Sequence, residues 1–149
     1  MLSVETDAYF MKQALLEAEQ AYREGEVPVG AVVVSGGQIL ARAHNQTERL
    51  RDVTAHAEML AVTAASEYLG SKYLTECTLF VTLEPCLMCA GALRWAQLGG
   101  LVYAAEDEKR GFMSVGRQVL HPRTKVRYGL MEGEAAALLR RFFAERRKK

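Results

Sequence analysis

Cysteine is scarce in this chain. Of 149 residues only Cys77, Cys86 and Cys89 carry thiols, too few and too unevenly placed to staple a secreted scaffold with disulfides. A metal site, a redox pair and plain core packing remain open for them. Long apolar runs are missing too. No stretch approaches the ~20 apolar residues of a membrane span, and the opening MLSVETDAYFMKQ has no basic start followed by a continuous apolar run. A soluble, cytoplasmic protein with no membrane attachment is therefore expected. Repeats, low-complexity segments and linkers are also absent, while 50% of the residues are apolar. Length and composition together predict one domain over residues 1–149 with one sizeable core.

Net charge is nearly absent, at +1, but its distribution is uneven. Residues 1–26 hold two basic and six acidic side chains, and residues 27–108 hold five and nine. Residues 109–149 hold twelve and three, an excess of nine positive charges. A basic C-terminal third is either a solvated helix face or the electrostatic footprint of a nucleic-acid partner.

What is present reads as alternating helices and strands. From Asp7 to Glu24 the residues Phe10, Met11, Ala14, Leu15, Ala18, Ala21 and Tyr22 recur at helical spacing, with Gly25 as a stop. VGAVVV (29–34) and QILARAH (38–44) flank a glycine turn and predict an antiparallel hairpin. After the polar NQTERLRDVT, HAEMLAVTAASEYLG predicts a helix, TLFVTL (78–83) a buried strand, CLMCAGALRWAQLG a helix and LVYAA (101–105) a strand. Strands separated by crossover helices imply parallel pairing with helices on the sheet. Glu106 to Arg127 reads as a long loop with little regular structure, VRYGLM as an edge strand, and GEAAALLRRFFAERRKK as a basic-ended helix.

The chemistry lies in two fragments. Cys-x-x-Cys alone is shared by redox motifs and zinc sites. TAHAEM adds His56 and Glu58 thirty residues upstream of Cys86, each fragment opening a predicted helix after a loop. Free N–H groups and the positive dipole end at a helix start favour thiolates. One imidazole and two thiolates from His56, Cys86 and Cys89 suit Zn²⁺, and three protein ligands leave an open, catalytic fourth position. Glu58, two residues after His56, is then placed to shuttle protons rather than to close the site. A redox dithiol would leave His56 and Glu58 unexplained. Cys77, before the buried strand, reads as a core thiol, and His44 and His121 as cap or surface residues.

HAE followed by PCLMCAGA, with GEVPVGAVVV and ARAHN upstream, resembles the tRNA-specific adenosine deaminases of bacteria, within the cytidine deaminase superfamily. That signature is the one by which these zinc deaminases are already known. The similarity runs from about residue 9 to the C-terminal helix. It implies a three-layer α/β/α fold with a mixed five-stranded sheet, and one Zn²⁺ per chain on His56, Cys86 and Cys89. It further implies that water activated there attacks C6 of adenine, with Glu58 protonating N1 and then the departing ammonia. Asn45 would hydrogen-bond a flipped nucleotide, Val27 pack on the base, Ala57 offer a backbone N–H, and Asp107 lie near the ribose. Without the resemblance Asn45 is a turn residue, Val27 core edge and Asp107 a solvated carboxylate.

Two segments depart from the family's pattern. DVTAHAE stands where Asp-Pro-Thr is usual before the zinc His, so Val53 replaces a residue of fixed φ. KRGFMSVGRQVLHP stands where a Gly-x-x-x-Gly-Ser-like run is common, near the expected substrate.

Three functions follow in order. The first is hydrolytic deamination of adenosine to inosine at the wobble position of a tRNA anticodon loop, a splayed base entering a pocket while Lys and Arg hold phosphates. Arg140, Arg141, Arg146, Arg147, Lys148 and Lys149 are candidates for the stem's path, and a frayed solvated tail is the other reading of the last four. The second is deamination of a free base or nucleoside such as guanine or cytosine with the same zinc and Glu58. The third is a non-enzymatic zinc or nucleic-acid-binding module. The resemblance also implies a homodimer, with GALRWAQLGGL as part of its surface or, alternatively, as a core helix.

Overall fold

A computed structural model describes residues 4–147. The helical recurrence of Phe10, Met11, Ala14, Leu15 and Ala18 becomes helix α1 (Val4–Arg23), and those five residues are buried. The helix begins at Val4 rather than Asp7. Strands β1 (Gly30–Ser35) and β2 (Gln38–His44) form the expected antiparallel hairpin. Its turn uses Gly36 and Gly37, both at positive φ, which matches the twist of a two-residue hairpin. At Gly30 a Cβ would sit 2.0 Å from the Ala14 carbonyl oxygen, so α1 rests directly on β1.

The stretch after β2 is not wholly irregular, because Thr47–Leu50 forms one helical turn, α2. Helix α3 (Ala57–Leu69), strand β3 (Thr78–Leu83), helix α4 (Leu87–Trp95) and strand β4 (Gly100–Ala105) follow. The edge strand β5 (Lys125–Tyr128) and helix α5 (Glu132–Arg147) complete the order. Residues 106–127, expected to have little regular structure, contain two 3₁₀ turns, Phe112–Ser114 and Arg117–Val119, and the start of β5.

The sheet is mixed and five-stranded, in the order β2-β1-β3-β4-β5. β1 pairs antiparallel with β2 and with β3, while β3–β4 and β4–β5 are parallel. The crossover α3 thus connects two strands of the same direction, with β1 inserted between them.

Successive residues of the central strands feed opposite cores. Val33, Leu79, Val81 and Leu101 meet Ala57, Ala61 and Ala65 of α3 and Ala90 and Leu93 of α4. Val32, Val34, Phe80 and Val102 meet Phe10, Met11, Ala14 and Leu15 of α1 and Ala135 of α5. The result is the expected three-layer α/β/α arrangement. Within GALRWAQLGGL, Leu93, Leu98 and Leu101 are core, whereas Trp95 is 83% exposed. Among the described residues no helix is long and apolar enough to cross a membrane.

Arginines of α5 are tied to α1 and to the turn that follows it. Arg141 donates from Nε to the Tyr22 hydroxyl at 3.1 Å and lies over its ring, and Arg146 donates to the Gly25 carbonyl and lies over Phe142. These two of the arginines assigned to the tRNA stem path therefore also dock the last helix. Lys148 and Lys149 lie outside the described residues.

Candidate active site

Two helix starts converge. His56 is the N-cap of α3 and Cys86 the N-cap of α4, both in extended backbone conformation, and neither side chain caps its own helix. The imidazole and thiol are free to turn toward each other instead. Cys89, in the first turn of α4, completes the group: His56 Nδ1 lies 3.6 Å from Cys86 Sγ and 3.5 Å from Cys89 Sγ. All three ligating atoms fall within 4.8 Å of one another. A tetrahedral ion with Zn–S of ~2.3 Å and Zn–N of ~2.05 Å requires N···S separations of about 3.6 Å. The residues present therefore fit zinc in both donor chemistry and spacing.

Electrostatics agree with that use. The thiol of Cys86 is drawn down to about 4, first by a hydrogen bond from Cys89 and then by His56, against the cost of burial. Cys89 is pushed up because its neighbour holds the charge. The pair thus gives up its first proton easily, and a cation in the triangle takes both sulfurs as thiolates. His56 is raised, chiefly through its contact with Cys86. Glu58 is 4% exposed, and burial raises its carboxyl to about 7. A carboxyl in that range can both take and return a proton at neutral pH.

These groups form one end of a cleft of about 200 Å³ at the C-terminal ends of β3 and β4, the usual place for a ligand in an open α/β sheet. Every residue assigned to the site from the sequence, apart from the fully buried Cys89, lines it: Val27, Asn45, His56, Ala57, Glu58, Cys86 and Asp107. Asn45 also behaves as the turn residue it resembles. Its Nδ2 donates to the Val27 carbonyl at 3.3 Å and its Oδ1 accepts from the Thr47 N–H at 3.4 Å. Asp107 is likewise partly engaged, since its Oδ1 accepts from the N–H groups of Lys109 and Arg110 at 3.2 and 3.0 Å.

Sequence reasoning missed Val29, Thr47, Leu83, Glu84 and Arg110 of the same lining, and Glu26, which holds the turn after Asn45. Glu84 is 5% exposed, and its two oxygens accept from the backbone N–H groups of Asp107 and Met113 at 3.0 and 2.9 Å. Its place directly before Pro85-Cys86 was the available signal. At Gly111 a Cβ would lie 2.0 Å from Glu84 Oε2, so the loop closes on the carboxylate only with glycine there. Glu26 is 1% exposed and accepts from the N–H groups of Glu48 and Arg49 at 3.1 and 2.7 Å.

Comparison with known proteins gives a consistent result. Residues 4–105 match the model of the cytidine and deoxycytidylate deaminase zinc-binding region. The chain is 46% identical to a tRNA-specific adenosine deaminase of Aquifex aeolicus over 144 residues, which cover 93% of this chain and 95% of that protein. A solved structure from studies of A-to-I editing by tRNA:A34 deaminases at the wobble position of transfer RNA superposes with a TM-score of 0.83 at 42% identity. That match covers 88% of this chain and 99% of the other. A guanine deaminase from Nitrosomonas europaea gives a TM-score of 0.79 at 27% identity, over 92% of this chain and 84% of the other.

Proposed function

We propose that this chain, which belongs to the cytidine and deoxycytidylate deaminase zinc-binding family, converts adenosine to inosine at the wobble position of tRNA. The reaction consumes water and releases ammonia. One observation carries the chemistry: Glu58 is buried in a cleft beside a His56, Cys86 and Cys89 triangle of zinc dimensions. The choice of substrate rests on the similarity to tRNA-specific adenosine deaminases over nearly the whole chain.

His56, Cys86 and Cys89 hold one Zn²⁺ per chain. When bound, the ion lowers the pKa of water to ~7 and so supplies a nucleophile at neutral pH. Glu58 carries two protons in turn: it takes one from the attacking water and delivers it to N1 of the adenine ring, then takes the second from the oxygen newly bonded to C6 and delivers it to the amine, which leaves as ammonia while C6 keeps a carbonyl. Burial serves this role directly, because a carboxyl held near 7 is about equally ready to accept and to donate. Val27 packs on the base, the backbone N–H of Ala57 and the Asn45 amide orient it, and Asp107 faces the ribose. A base reaches this depth only after leaving its stack, which an anticodon loop allows at little cost.

The 149 residues act as one domain in the cytoplasm. Exposed Trp95, Leu87 and Met88 on α4 support a homodimer across that face. A second reading, deamination of a free base such as guanine, is favoured only by the likeness to the guanine deaminase. Purified protein incubated with total tRNA, free nucleosides and free bases separates the two. Inosine in tRNA is expected, and conversion of free bases alone would overturn the assignment.

A further inference from the structure

We propose that Arg110 selects substrates that carry a phosphodiester, by binding a phosphate beside the target nucleotide as the base enters the cleft. Arg110 lines the same cleft as His56 and Glu58 and, among the described residues, is its one Lys or Arg. Its side chain is exposed, and among the described residues its guanidinium meets no hydrogen-bond or ion-pair partner, although acidic residues crowd its own loop. That loop is polarised. Glu106 and Glu108 line an adjoining hollow with Tyr103 and Tyr128, which shares Glu84 and Asp107 with the cleft, whereas Arg110 lines the cleft itself.

The loop is also held firmly enough to aim it. Asp107 accepts the Arg110 N–H at 3.0 Å, Gly111 N–H donates to the Asp107 carbonyl at 2.8 Å, and Glu84 grips both ends of the segment. With the base at the floor beside Glu58, its ribose and flanking phosphates lie toward the lip. A planar, permanently charged fork suits a phosphate there, and a neutral free base offers it nothing to bind. The inference rests on the tRNA reading and adds the group by which RNA is told from a free base.

The test compares wild type, Arg110→Ala and Arg110→Lys on an RNA anticodon hairpin across a salt series, with zinc content measured for each. In Arg110→Ala the KM for the hairpin should rise about tenfold with the effect absent from kcat. The slope of log(1/KM) against log[salt] should become shallower by about 0.7, the share of one phosphate on a single strand. Arg110→Lys should restore the slope and part of the KM. Arg110→Gln carries the same expectation should the alanine variant lose zinc. Hairpin KM and salt slope unchanged in both neutral variants would overturn the proposal while leaving the tRNA reading intact. A wild-type protein that leaves every RNA unreacted but deaminates guanine would overturn that reading and the proposal with it.

Discussion

The floor of the cleft and its lip are built in different ways. The floor hangs on helix starts: His56 and Cys86 accept the first helical bonds of α3 and α4, from Leu60 at 3.1 Å and Ala90 at 2.9 Å, and both helices are embedded in the core. The lip is held by single side chains. Glu26 fixes the turn that follows Asn45, and Glu84 fixes the loop that carries Asp107 and Arg110. The His56, Cys86 and Cys89 triangle is thus anchored by many backbone bonds at once, whereas the segments at the lip depend on two buried carboxylates. A fold arranged this way can change what it accepts without disturbing how it reacts.

Breaking the floor should have the largest effect. Cys86→Ala is expected to lose bound zinc and deaminase activity together, read by metal analysis and ammonia release. Full zinc occupancy in that variant would remove Cys86 from the ligand set. Glu58→Gln should come next, lowering kcat by roughly 10²–10⁴-fold while zinc stays bound, because only the proton shuttle is removed. An unchanged kcat would mean that another group moves the protons.

The lip should respond in a different quantity. Glu84→Gln keeps one acceptor oxygen but turns an NH₂ toward a backbone N–H that now has no partner. The expected cost is about 2 kcal/mol, or roughly 4–8 °C in Tm. The KM for a tRNA hairpin should rise while zinc content is retained. If zinc were lost as readily as in Cys86→Ala, the distinction between floor and lip would fail.

The same division decides what was legible in the sequence. His56, Glu58, Cys86 and Cys89 could be read because each pair sits within one helical turn, so local spacing carries the geometry. TLFVTL was readable for a similar reason, being bounded and apolar over its whole length, and β3 occupies those residues. The lip was not readable. Thr47–Leu50 is four residues long, and its capping carboxylate, Glu26, stands about twenty residues upstream. The first 3₁₀ turn after Asp107, Phe112–Ser114, is likewise held by Glu84, from another strand end. Long-range anchoring of this kind leaves no periodicity behind. The charge of α5 carried no sign of its intramolecular use, in which Arg141 and Arg146 engage Tyr22 and Gly25 while still facing solvent.

The smallest expected effect comes from the third cysteine. Cys77 stands at the opposite end of β3 from Cys86, away from the triangle, is 2% exposed, and burial pushes its thiol pKa up. Its side chain belongs to the same core as Leu74 and Leu79. Cys77→Ala removes about a methyl group's worth of packing, so a loss near 1 kcal/mol and about 2–4 °C in Tm is expected. Zinc stoichiometry and kcat should match wild type. A drop in either would show that the two ends of β3 are coupled, and the separation between a packed body and a three-residue metal floor would have to be redrawn.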